Sequence, residues 1–268
     1  MSSVRNIIYY YSDLHQEHNL DRTILFKREY KKNDIENNYI LILAGDIGSP
    51  VTVQYWDLIK THTLYYNHII ILCGNHEYYG HNIDYINSLM TTCIKEYKLE
   101  NRVHFLNNSS ITINNIKFVG STLWSYIPDE HKEEVTRYMN DYNYIKDFTT
   151  DINNKLHRDS VNYLKSELET KNENNTIPII VITHYSPSFI ATSHPMYTGK
   201  TTNCAFSSNL DYLIEKCNYW IFGHTHYNYY NIDNKYKLKS NQLGYNWDRP
   251  IRGFNKNTHL NIITHKNN

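Results

Sequence analysis

Five short apolar runs divide the chain, at residues 7–11, 39–44, 69–73, 177–182 and 219–222. Each is too short for an ordinary helix and is rich in β-branched and aromatic side chains, so each predicts a strand buried on both faces. Between them the apolar spacing changes. Ile83, Ile86, Leu89, Met90, Ile94 and Tyr97 recur at helical intervals and predict an amphipathic helix over 82–98. Leu156, Val161, Leu164 and Leu168 predict a second over 155–171, and 209–217 predicts a shorter third with Asn209 as its N-cap. Residues 111–119 read as a hairpin turning at Asn114-Asn115, and 227–239 as another turning near Asp233-Asn234. Strands alternating with helices imply an α/β sheet, to which the hairpins add antiparallel strands. Nothing resembles a linker or a repeat. A single domain over 1–268 is expected, with the weakly patterned stretch 125–155 as an insertion covering one face.

The ends of the apolar runs carry the chemistry. The first is followed by Ser12-Asp13-Leu14-His15, the second by Gly45-Asp46 and the third by Gly74-Asn75-His76-Glu77. The fourth leads to Thr183-His184 and the fifth to Gly223-His224-Thr225-His226. Ligands of open α/β sheets sit beyond the carboxyl ends of strands, where side chains are held rigidly. Asp13, His15, Asp46, Asn75, His184, His224 and His226 offer two carboxylates, one amide oxygen and four imidazoles, with no thiolate. This mixed oxygen and nitrogen set suits Mn, Fe or Zn better than a pure Mg or Ca cage. Seven ligands exceed what one open catalytic ion takes, and two ions sharing a carboxylate would use them. His194 competes with His184, but the apolar run directly before His184 delivers that side chain from a strand end.

Composition narrows the reading only a little. The 268 residues carry 27 basic and 27 acidic side chains, so no whole-chain charge favours nucleic acid or an anionic membrane. The N-terminal segment lacks the order of a secretory signal, and no apolar run approaches the ~20 residues of a membrane span. A soluble, cytoplasmic protein is therefore expected. Cys73, Cys93, Cys204 and Cys217 form no C-x-x-C pair and read as free thiols. The 26 tyrosines are scattered rather than clustered with Lys and Arg, which speaks against a base-stacking surface. Of the fifteen histidines, ten lie outside the motifs and read as surface or structural residues.

The ordered set Asp13-x-His15, Gly45-Asp46, Gly74-Asn75-His76-Glu77, His184 and Gly223-His224-x-His226 resembles the calcineurin-like metallophosphoesterase superfamily. The tracts Gly120-Ser121-Thr122-Leu123-Trp124 and Asn241-Gln242-Leu243-Gly244-Tyr245 further resemble its bacterial-type phosphohydrolases. The resemblance implies a four-layer αββα sandwich, with two mixed β-sheets flanked by helices. It implies that Asp13, His15 and His226 hold one metal, that Asn75, His184 and His224 hold a second, and that Asp46 bridges both. His76 would support the leaving group, oriented by Asp46, while Glu77 would fix the loop. The implied reaction is hydrolysis of a phosphodiester or small phosphate ester by in-line attack of a metal-bridging hydroxide. Tyr78 and Trp124, with Asn75, are expected at the substrate, and Tyr79 and Tyr126 are further aromatic residues for the cleft. Two other readings share this fold. In the protein phosphatase branch, Gly-Asp leads to an Asp-Arg pair, whereas Asp46 is followed by Ile47-Gly48-Ser49-Pro50. A non-catalytic scaffold would lack ligands that this chain retains.

Overall fold

In the computed structural model, residues 3–18, 37–169, 177–229, 237–245, 247 and 253–265 are described. Among them are ten strands in two five-stranded sheets. The first sheet has the order β10 (His259–His265), β1 (Ser3–Tyr11), β2 (Asn37–Ala44), β3 (His68–Leu72), β4 (Val103–Phe105). Strands β1 to β4 run parallel, and β10 pairs antiparallel with β1. The second has the order β5 (Ser109–Ile113), β6 (Ile116–Ser121), β7 (Ile179–Thr183), β8 (Tyr219–Phe222), β9 (Leu238–Ser240). Here β5 and β6 form the antiparallel hairpin, and β6 to β9 are parallel.

The two-residue period of the strands sorts their side chains into layers. Ile8, Tyr10, Ile40, Ile42, Ile70 and Leu72 of the first sheet share one buried cluster with Phe118, Ile180, Ile182 and Ile221 of the second. That cluster is the core between the sheets. The alternate residues, such as Ile7, Leu41, Leu43, Ile69 and Ile71, pack with the helices instead. Helix α1 (Val53–His62) contributes Tyr55, Trp56 and Ile59, and α2 (Ile83–Glu96) contributes Ile86, Met90 and Ile94. Val119, Val181, Trp220 and Phe222 meet the same cluster as Leu164 and Leu168 of α5 (Thr150–Glu169). Both sheets are thus mixed and flanked by helices, as the resemblance implied.

Local signals held where local chemistry decides. Asn114 and Asn115 turn the β5–β6 hairpin with φ of 48° and 58°, the left-handed pair that Asn tolerates. Asn82 caps α2 by accepting from the Tyr85 amide at 2.8 Å. Elsewhere the structure differs. Helix α1 and strands β4 and β10 were not marked by the pattern. Helix α5 starts at Thr150, five residues before the apolar spacing shows it. Asn209 caps nothing: α6 (Asp211–Ile214) follows Leu210 with no side-chain cap. Of the second hairpin, the described residues show β9 pairing parallel with β8, and residues 227–229 bonding to 240–242 through the Asn228 side chain and the Ser240 hydroxyl. Its expected turn at Asp233-Asn234 lies outside the described residues. The stretch 125–155 holds two short helices, α3 (Lys132–Tyr138) and α4 (Asp141–Tyr144), and the start of α5. All four cysteines are free, and no described helix is long and apolar enough to cross a membrane.

Candidate metal centre

Parallel strands end on the same side of a sheet, so β1, β2, β3, β7 and β8 deliver their terminal loops to one edge of the sandwich. The loops there are stitched together by main-chain bonds: the amides of Asp13, His15 and Gln16 donate to the carbonyls of Gly45, Asp46 and Ile47 at 2.9–3.0 Å. Glu77 is buried beneath them and accepts from Gly74 N at 2.7 Å, Asp46 N at 2.9 Å and Ile47 N at 2.8 Å. One carboxylate therefore fixes the loops after both β2 and β3. Burial and the Asp46 charge push its carboxyl up to about 8, and the amide bonds pull the other way. Gly45 has φ of 88°, and a Cβ there would lie 2.6 Å from the Gly74 amide nitrogen, so only glycine allows the two loops to touch.

Asp13, His15, Asp46, His224 and His226 all adopt left-handed backbone, with φ of 56°, 45°, 54°, 70° and 45°. Each costs on the order of 1–2 kcal/mol in a non-glycine residue. Five of the seven predicted ligands share this strain, which aims their side chains back over the strand ends.

The side chains form two adjoining clusters. In the first, His15 Nε2 lies 3.0 Å from His226 Nε2, which is 3.5 Å from Asp13 Oδ1. In the second, His184 Nε2 lies 3.3 Å from Asp46 Oδ2 and 3.2 Å from Asn75 Oδ1, and His224 completes a set with Asp46 and His184 whose ligand atoms lie within 4.8 Å of one another. Asp46 Oδ2 is also 3.9 Å from His15 Nε2, so the carboxylate stands between the clusters. The outer hydrogen bonds dictate which atoms face inward. His184 Nδ1 donates to the Ala44 carbonyl at 2.9 Å, leaving the Nε2 lone pair to the centre. His224 Nε2 donates to the Ala205 carbonyl at 3.3 Å, leaving Nδ1. The Asn75 amide group donates to Asp141 Oδ1 at 2.7 Å, which turns Asn75 Oδ1 inward.

This donor set fits divalent cations. Asp13 and Asp46 are fully buried, and among the described residues their ion-pair partners are imidazoles, with no Lys or Arg. Two imidazole nitrogens at 3.0 Å attract only with a proton or cation between them. Burial would raise the Asp46 carboxyl, but His184 and His76 hold it well below the usual carboxylate range. Burial would lower His184, but Asp46 carries it to about 9, while burial and the His184 charge push His224 to about 3. The two buried carboxylates make this a negative pocket suited to positive charge.

His76 stands beside these clusters. Its amide donates to Asp46 Oδ1 at 2.9 Å, and its Nε2 lies 4.0 Å from Asp46 Oδ2. Burial would lower its pKa, but the Asp46 and Glu17 charges raise it above the usual value. A cavity of about 630 Å³ opens here, lined by Asp46, Asn75, His76, His224 and His226 and walled by Tyr79, Tyr245, α3 and the 193–206 loop. Tyr78 and Trp124 do not reach it. Both are buried in the core, Tyr78 bonding Asn87 and Trp124 packing on Phe148 and Tyr185, and Tyr126 is exposed outside the lining, so the cleft aromatics are Tyr79, Tyr138, Tyr197, Phe206 and Tyr245. His76–Tyr78 form a 3-10 turn that Tyr79 ends in extended backbone, so the two tyrosines leave the turn in different directions and Tyr78 takes the inward one. His194 is exposed and bonds the Met196 amide, away from the clusters.

Glu17, Asp141 and Tyr245 belong to the centre without having been assigned to it. Glu17 Oε1 lies 3.1 Å from Nδ1 of both His15 and His76. Burial would raise it, but those two hydrogen bonds hold it at about 2. Its place two residues after His15 was a usable signal. Asp141 lies in the unpatterned stretch and had none.

Residues 8–228 match the calcineurin-like phosphoesterase family profile. An uncharacterized protein of Acanthamoeba polyphaga mimivirus is 31% identical over 280 residues, covering 96% of this chain and 96% of that protein. Among solved structures, a phosphopantetheinyl hydrolase from Mycobacterium tuberculosis shares the fold with a TM-score of 0.66 at 14% identity, covering 90% of each chain.

Proposed function

The chain belongs to the calcineurin-like phosphoesterase family, and from that premise we propose that it hydrolyses a phosphodiester, or a small phosphate ester, at a two-metal centre. Asp13, His15 and His226 would hold one cation, Asn75, His184 and His224 would hold the other, and Asp46 would serve both. Manganese, iron and zinc all suit these donors. When bound, the metals supply Lewis-acid charge opposite the phosphoryl oxygens and activate water for attack. The chain's own residues do the rest. Outer hydrogen bonds to Ala44, Ala205 and Asp141 keep the ligand lone pairs pointing inward before any substrate arrives. His76, held by Asp46 and Glu17, faces the cavity as the proton source for the leaving oxygen. The segment 125–155, which gives the cavity Glu134, Tyr138, Met139, Asn140 and Asp141, adapts it to its substrate.

The observation that carries the reading is the convergence of these lone pairs on two adjoining clusters that share Asp46. The test is metal content measured together with hydrolysis of bis-p-nitrophenyl phosphate and p-nitrophenyl phosphate in manganese. Two metals per chain, faster diester cleavage and loss of both reactions in Asp46→Asn are expected. Full activity in Asp46→Asn would refute the mechanism, and a preference for the monoester would transfer the reading to the phosphatase branch.

A further inference from the structure

Glu17 joins the ligand side of the centre to its leaving-group side. A carboxylate only accepts hydrogen bonds, so the Nδ1 atoms of His15 and His76, each 3.1 Å from Glu17 Oε1, both carry protons. Both rings then present Nε2 inward. His15 Nε2 faces His226 and Asp46, while His76 Nε2 meets the Tyr245 hydroxyl at 2.8 Å. The Tyr245 ring lies 4.2 Å from that of His15 and 4.6 Å from that of His226, and the residue lines the cavity. Carboxylate, imidazole and phenol therefore form one hydrogen-bonded chain that ends beside the clusters.

We propose that this chain serves the departing oxygen, with Tyr245 as the group that touches it and Glu17 as the positioning residue, and that the substrate is consequently an ester of an unactivated aliphatic alcohol. The proposal rests on the phosphoesterase reading above. As the phosphorus–oxygen bond breaks, its electron pair stays on the alcohol oxygen. A proton passes to that oxygen from His76 Nε2 through the Tyr245 hydroxyl. Water supplies the new phosphorus–oxygen bond and releases a proton to solvent, from which His76 recovers its own. An alkoxide cannot leave without such a proton, whereas a phosphate leaving group needs none, so an organised donor chain is useful for esters rather than phosphoanhydrides. The cavity wall agrees. Tyr138, Met139, Tyr197 and Phe206 give it apolar surface for an alcohol portion, and Glu134 opposes a second phosphate there.

The test is a leaving-group series of ethyl phosphodiesters, from p-nitrophenyl through phenyl to benzyl, run in manganese. In Glu17→Gln and in Tyr245→Phe, the turnover ratio of benzyl to p-nitrophenyl ester should fall by about 100-fold relative to the wild type. Calorimetric titration with manganese separates the two residues. Glu17→Gln should weaken binding by about 10-fold through His15, and Tyr245→Phe should bind as the wild type does. Ratios within about 3-fold of the wild type in both folded variants, as checked by thermal melting, would overturn the donor chain. Asp46→Asn runs alongside: if it hydrolyses the whole series, the phosphoesterase reading itself has failed.

Discussion

Replacing Asp141 by Ala tests whether a carboxylate far away in sequence sets the orientation of Asn75. Asp141 Oδ1 accepts from Asn75 Nδ2 and from the Tyr79 hydroxyl, each at 2.7 Å, and Oδ2 accepts from the Tyr185 hydroxyl at 3.2 Å. Because the carboxylate cannot donate, the Asn75 amide group must face it, and the amide oxygen must face His184 Nε2 at 3.2 Å. Alanine removes this acceptor from three donors and leaves Asn75 Nδ2 with the Tyr79 hydroxyl at 3.2 Å. Each buried orphan costs about 1–3 kcal/mol, and relief from burying a carboxylate offsets part of the sum, so a net loss of about 2–4 kcal/mol is expected. With a urea slope of about 3 kcal/mol per molar, the unfolding midpoint of the EDTA-treated protein should drop by about 1 M. The freed amide can also turn its hydrogens toward the centre. Hydrogen bonds that orient ligands are worth about 10- to 100-fold in metal affinity, or about 1.4–2.7 kcal/mol, so manganese titration should show one site weakened by that factor. Asp141→Asn keeps an acceptor oxygen and should fall between the two. An alanine variant with wild-type midpoint and wild-type manganese affinity would refute the reasoning.

Glu77→Ala removes the acceptor for three buried amides that tie two loops together. It should lower stability by about 3–5 kcal/mol in denaturant titration, and a loss below about 1 kcal/mol would mean the loops hold each other without it. Gly45→Ala places a Cβ 2.6 Å from the Gly74 amide nitrogen at a φ of 88°, so manganese binding and hydrolysis should both collapse, read by calorimetry and ester turnover. His104 is pushed down to about 4 by burial and by the charge of neighbouring His68. The fold therefore favours its neutral ring: the stability it contributes is present above an unfolded value of about 6.5 and is lost as pH falls toward 4. Subtracting the stability–pH curve of His104→Gln from that of the wild type should leave a slope confined to that window, and a flat difference would contradict it.

The sequence alone determined the strands that carry the centre and the residues that end them. Short apolar runs of β-branched side chains have few other stable forms. A glycine, carboxylate or imidazole directly after such a run is placed by the strand itself, so the seven candidate ligands and His76 were legible one junction at a time. The turn at Asn114-Asn115 was legible because a tight turn is made by sequence neighbours. Tertiary structure decided what depends on partners distant in sequence. Asp141 meets Asn75 across 66 residues, and Tyr245 meets His76 across 169, so no local pattern marks either. Strands β4 and β10 have strand conformation because an edge of the first sheet needs a partner, and β9 lies parallel to β8 where its own neighbours suggested a hairpin. The choice of Tyr79 over Tyr78 for the cavity followed the same rule. Two adjacent tyrosines are chemically alike, and only the direction of the turn that carries them separates core from cleft.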